Sequence, residues 1–120
     1  MSEKENIINC FYDFLVYIIP QLDKFPRRQK FLIADKIEIS LLQIFDNVIA
    51  AYYSREDKKI NYLTENNIIL ERVRFLIRLS KDLNFISVAK YGYISERLNE
   101  LGKMMGGWIK SIDEKRKKSI

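Results

Sequence analysis

The stretch YGYISERLNELGKMMGGWIKSI, residues 91–112, decides the fold. Its apolar residues Tyr91, Ile94, Leu98, Leu101, Met105, Trp108 and Ile112 are separated by alternating steps of three and four. That spacing lines one face of a helix and packs it against neighbours in a bundle. It predicts a helix from about residue 87 to 110 or beyond. Gly92, Gly102, Gly106 and Gly107 work against it, each costing about 1 kcal/mol relative to alanine in a helix interior. Glycines at such positions mark the close approach of another backbone, or fraying ahead of the tail.

Upstream, residues 54–61 read as a polar connection, and Thr64 reads as the N-cap of a helix over about 65–83, with Leu63 and Ile68 as a hydrophobic staple. Apolar residues from Ile68 to Ile86, Phe75 and Leu79 among them, cover roughly 220° of this helix, where a helix buried on one side needs about 100°. The excess predicts burial on two sides, against the bundle and against another subunit. Further upstream, Phe25-Pro26 ends a first helix and opens a second, because proline disfavours helical geometry before it yet suits a first helical turn. The second helix has a core face that includes Phe31, Ile33, Ala34, Ile37, Leu41, Leu42, Ile44, Phe45 and Val48. Leu32 and Ile39 fall on its otherwise polar side. The first helix begins at a capping box, Ser2 with Glu5, and continues through Ile8, Phe11, Leu15, Ile18 and Leu22, with a kink expected near residues 16–20 from Pro20.

Four such helices with short connections predict an all-α, antiparallel up-down four-helix bundle over residues 1–112. Residues 113–120 form a basic, frayed or disordered tail. The additional apolar face predicts a homo-oligomer.

Composition excludes much chemistry. The 120 residues contain one cysteine and no histidine. They therefore supply no intrachain disulfide, no histidine base, no Ser-His or Cys-His pair and no Cys/His zinc site. Cys10 reads as a small core residue. There is no Gly-rich phosphate loop and no Glu-x-x-His pair, and carboxylates such as Asp35 and Glu38 fall on an exposed helix face. The sequence predicts neither catalysis nor a cofactor or metal. No signal peptide or membrane span is read, which gives a cytoplasmic expectation.

The net charge is +5, and its distribution is informative. Five cations face two acids over residues 66–90, and five face two over residues 110–120. Glu71, Arg74, Arg78, Lys81 and Asp82 share one narrow arc of the third helix. Arg74 and Arg78 stand one turn apart, where like charges repel by a few tenths of a kcal/mol. Either the two carboxylates neutralise them, or they engage successive anionic oxygens of a phosphate backbone. A second basic group, Lys24, Arg27, Arg28 and Lys30, surrounds Pro26, either as a solvated turn or as an anion contact. Arg72 falls within the apolar arc, where it must snorkel or meet a carboxylate from another helix or subunit.

Four runs, FPRRQKF (residues 25–31), AAYY (50–53), LERVRFLIRLSKDL (70–83) and LGKMMGGWIK (101–110), taken in order resemble the accessory variability determinant, Avd, of diversity-generating retroelements. The resemblance covers about residues 11–110. The same fold family includes four-helix proteins encoded within intervening sequences of 23S ribosomal RNA genes, RNA-associated proteins without a polymerase partner, and these are the alternative. The Avd resemblance implies a homopentameric barrel of four-helix bundles that associates with the retroelement reverse transcriptase. It further implies binding of template RNA or cDNA through a basic surface, in support of mutagenic retrohoming. Arg74, Arg78 and Lys81 fall in the matched run of the third helix, and Arg27, Arg28 and Lys30 in the Phe-Pro-Arg run, so these six are the nucleic-acid-binding candidates.

Overall fold

The computed structural model describes residues 3–118, with side chains from residue 6 onward. Ser2, the expected first N-cap, lies outside the described residues. Helix α1 spans Glu3–Leu22, α2 is the short Arg27–Gln29, a π-helical turn occupies Lys30–Ala34, and α3 spans Asp35–Tyr52. Two long helices complete the chain, α4 over Glu56–Asp82 and α5 over Val88–Lys118. With α2, the π turn and α3 forming one rod, the molecule is four long helices, without a strand among the described residues. They pack into a body of 53 × 23 × 23 Å.

The seam of α5 is as its spacing requires. Ile94, Leu98, Leu101, Met105, Trp108 and Ile112 are buried, and Tyr91 at its start is half-buried. They meet Ile7, Phe11, Ile18, Ile37, Leu41, Ile44, Val48, Leu63, Val73 and Ile77 in one core. The α5 helix continues to Lys118, and Lys115 in that last stretch reaches Glu56 at 3.1 Å.

Two boundaries differ from the sequence reading. Helix α4 begins at Glu56, about nine residues before the expected start, and Thr64 lies exposed inside it. The expected polar connection is its first two turns, with Glu56 and Asp57 suited to the positive end of the helix dipole. The inner edge of α4 runs Lys59, Leu63, Asn66, Leu70, Val73, Ile77, Ser80, again at steps of four and three, and all seven are buried. Three of the seven are polar, so hydrophobic periodicity fades where the helix continues. Lys59, 8% exposed, donates from Nζ to the carbonyls of Ala51 at 2.9 Å and Tyr52 at 3.1 Å, closing the end of α3. Asn66 is fully buried and fully used: its Nδ2 donates to the Ile44 carbonyl at 3.1 Å and toward Met105 Sδ at 3.6 Å, while its Oδ1 accepts from Asn47 Nδ2 at 2.9 Å.

The second difference lies around Pro26. Helix α1 ends at Leu22, with Pro20 in its last turn, and Pro26 itself is extended (φ −54°, ψ 144°) at the head of α2. The π turn that follows carries one more residue per turn than an α-helix, its signature being the Asp35 N–H bond to the Lys30 carbonyl. Phe31, read as core, stands in this turn and is exposed. Leu42, at the edge of the same predicted face, is exposed as well. Cys10 is half-buried rather than in the core, its thiol 3.7 Å from Asn6 Oδ1.

Helix α4 ends in a left-handed cap. Asn84 has φ 65°, its N–H bonds the Lys81 carbonyl at 2.9 Å, and the Phe85 N–H bonds the Ser80 carbonyl at 2.8 Å. Asparagine tolerates this geometry better than most residues. The turn aims Phe85 at Phe25, ring centroids 5.8 Å apart, which fastens the α4–α5 turn to the Pro26 turn.

Replacing Asn66 with alanine removes its hydrogen bonds to Asn47 and Ile44 and leaves space unfilled at a fully buried position. Urea titration should show a loss of about 2 kcal/mol or more for Asn66→Ala, against less than about 0.5 kcal/mol for Asn99→Ala on the exposed face of α5.

Candidate nucleic-acid interface

The basic arc of α4 borders α5. Opposite it, α5 offers Gly102, and the missing side chain sets the geometry. A Cβ at Gly102 would stand 2.9 Å from Arg74 Nη2 and 3.1 Å from Leu70 Cδ2. Glycine here lets α4 and the Arg74 guanidinium lie directly on the α5 surface. The glycines within the α5 pattern predict the close approach of another backbone; at Gly102 it is side chains of α4 that come close, and Gly92 and Gly106 have open space where a Cβ would stand.

Arg74, Arg78 and Lys81 lie along one edge of α4 and divide two carboxylates. Arg74 Nη1 is 3.2 Å from Glu71 Oε2, Arg78 Nε is 3.9 Å from Asp82 Oδ2, and Lys81 Nζ is 3.0 Å from Asp82 Oδ1. The acids thus moderate the repulsion between the arginines without cancelling the charge, since three cations share two acids and Lys103 of α5 adds a fourth at the groove. The pairs are solvent-exposed and each is worth no more than about 1 kcal/mol, so an arriving anion can displace them. Lys81 also lies over the Tyr91 ring, 4.7 Å from its centroid. Arg74 Nε is buried and makes no hydrogen bond.

The second group is separate. Arg27 and Arg28 are exposed on α2 and make no ion pair among the described residues, while Lys30 pairs with Asp23 at 3.4 Å. The Phe25–Phe85 contact brings their turn to the end of the molecule where α4 finishes, and among the described residues no ion pair joins Arg27, Arg28 or Lys30 to the α4 arc.

Arg72 lies exposed on another side of α4, without an ion pair among the described residues. Ile68 and Leu79 flank it at one-turn and two-turn spacing and are 67% and 42% exposed. Leu32 and Ile39 are likewise exposed on the rod formed by the π turn and α3.

A different cleft, about 200 Å³, separates α1 from α5 and is lined by Asp13, Tyr17, Tyr93, Arg97 and Glu100. Arg97 is held by Glu100 at 2.6 Å, and burial, with Tyr93 beside it, raises the Tyr17 phenol above its ordinary pKa. Its one arginine faces two acids, so cations collect on the α4–α5 side instead. Among the described residues no cluster of three or more His, Cys, Asp or Glu side chains is placed to hold a metal ion, and no helix is long and apolar enough to cross a membrane.

Comparison with known proteins agrees with this architecture. A protein of unknown function from the S23 ribosomal protein family of Bacteroides thetaiotaomicron VPI-5482 superposes with a TM-score of 0.81 at 20% identity, covering 91% of this chain and 99% of that one. At that identity the likeness is one of fold. No curated protein matches significantly. The profile of the bAvd-like family matches residues 6–112, from the first turns of α1 through the end of the α5 seam. With a match of that extent, and with the seam and the basic helix both inside it, the chain belongs to the bAvd-like family.

Proposed function

We propose that this protein is a non-catalytic accessory subunit of a diversity-generating retroelement. It binds the element's reverse transcriptase and holds template RNA or cDNA in support of mutagenic retrohoming in the cytoplasm, while the polymerase performs the chemistry. Family membership supports the class of protein. The observation that carries the nucleic-acid reading is the α4–α5 groove, where Arg74, Arg78 and Lys81 stand in a row with only Glu71 and Asp82 to answer them. Guanidinium groups spaced by one helical turn suit successive phosphate oxygens, which bind without regard to sequence. Arg27, Arg28 and Lys30 extend the basic surface at the Pro26 end.

The unit is an antiparallel up-down bundle over residues 1–112, with 113–120 as a basic extension. Its direction of packing is supported by contacts that join the end of one helix to the start of another: Ala51 of α3 with Lys59 of α4, Lys59 with Trp108 late in α5, and Lys81 late in α4 with Tyr91 early in α5. Five such bundles form a barrel. The exposed apolar residues Leu32 and Ile39 on the rod, with Ile68 on α4, support burial against a second copy that leaves the Phe75 end of α4 open. Arg72, one turn from Ile68, would there meet a carboxylate of the neighbouring subunit.

Arg74→Ala with Arg78→Ala weakens RNA and DNA binding and flattens the slope of log K against log salt by about 0.7–0.9 for each phosphate that is no longer neutralised. An unchanged slope would remove this arc from the interface. Co-purification with the reverse transcriptase of the same retroelement should give a complex whose light-scattering mass contains five copies of the 14.3 kDa chain. A 1:1 complex would overturn the pentamer, and failure to associate would overturn the partnership.

A further inference from the structure

We propose that the α4–α5 groove takes unpaired bases of a single strand, and not phosphates alone. The inference rests on the reading above that this face binds nucleic acid. The groove is two adjoining depressions that share Glu71 and Arg74. The larger, about 450 Å³ and open to solvent, has Gly102 in its floor, where no side chain rises from α5. Asn67 of α4 and Asn99 of α5 face into it from its two walls. Both are exposed, and neither amide makes a hydrogen bond among the described residues. An amide offers a donor and an acceptor side by side, the pattern that recognises a base edge.

The smaller depression, about 180 Å³, places Phe75 and Tyr91 beside Arg74 and Arg78. Phe75 is 63% exposed. A large aromatic ring left in solvent, beside Arg74 and Arg78 of its own helix, is a stacking platform flanked by backbone-binding cations. Stacking faces and free amides address parts of a base that a duplex keeps covered. A single strand can present them, one base stacked at Phe75 and a neighbour turned into the Asn67–Asn99 depression. Arg74 stands between the two depressions, where a phosphate linking those bases would lie.

The test compares labelled oligoadenylate and oligouridylate with a blunt RNA duplex of the same length, using the full chain. Two variants accompany the natural protein: Phe75→Leu, which keeps apolar bulk but removes the aromatic face, and Asn67→Ala with Asn99→Ala, both at exposed positions. The duplex should bind more weakly than either single strand. Phe75→Leu should weaken single-strand binding roughly fivefold or more while the salt slope stays as it was, since every phosphate keeps its cation. The asparagine pair should reduce the difference between oligoadenylate and oligouridylate. Duplex binding as tight as single-strand binding, or both variants indistinguishable from the natural protein, would overturn the inference and leave the phosphate-binding function standing. Failure of the natural protein to bind any of the three would overturn both.

Discussion

The structure depends on a buried amide. Asn66 ties α4 to α3 through Asn47 and the Ile44 carbonyl, and reaches Met105 of α5. Apolar seams at steps of three and four can slide by a turn with little change in buried area, whereas an amide with committed partners cannot move without stranding them. Asn66 therefore fixes the longitudinal register of α4 against both neighbours. Lys59, two turns earlier, acts in the same sense by holding the last carbonyls of α3.

That register positions the candidate site. Arg74 lies eight residues beyond Asn66, and the alignment that sets Asn66 against Met105 sets Arg74 against Gly102. A shift of one turn would bring the guanidinium against Leu98 or Gly106 instead, and the groove with its paired asparagines would disappear. The interface is a consequence of helix register, and its cations gain their arrangement from a core that contains none of them.

Much of this is legible in the chain. The α5 seam can be read because every inner position is apolar, and the basic arc because charge position on a helix follows from residue number alone. The start of α4 is hidden because Lys59 and Asn66 occupy inner positions that a hydrophobic pattern counts as breaks. Phe31 falls outside its predicted core face because a π turn departs from the 100° spacing on which a helical wheel rests. Gly102 signals a close approach, but not its partner, since which residue crosses a glycine is decided by three-dimensional register. Asn67 and Asn99 give no signal at all: polar residues on exposed helix faces are ordinary until two of them face the same depression.

The central claim is that nucleic acid lies in the α4–α5 groove. Photocrosslinking of the intact protein to single-stranded RNA containing 4-thiouridine, followed by peptide mapping, tests it most directly. The account predicts adducts on residues 67–91 of α4 and its turn into α5, and on residues 99–103 of α5, with Phe75 and Tyr91 foremost. Adducts confined to the basic residues Lys115, Arg116, Lys117 and Lys118 would contradict it.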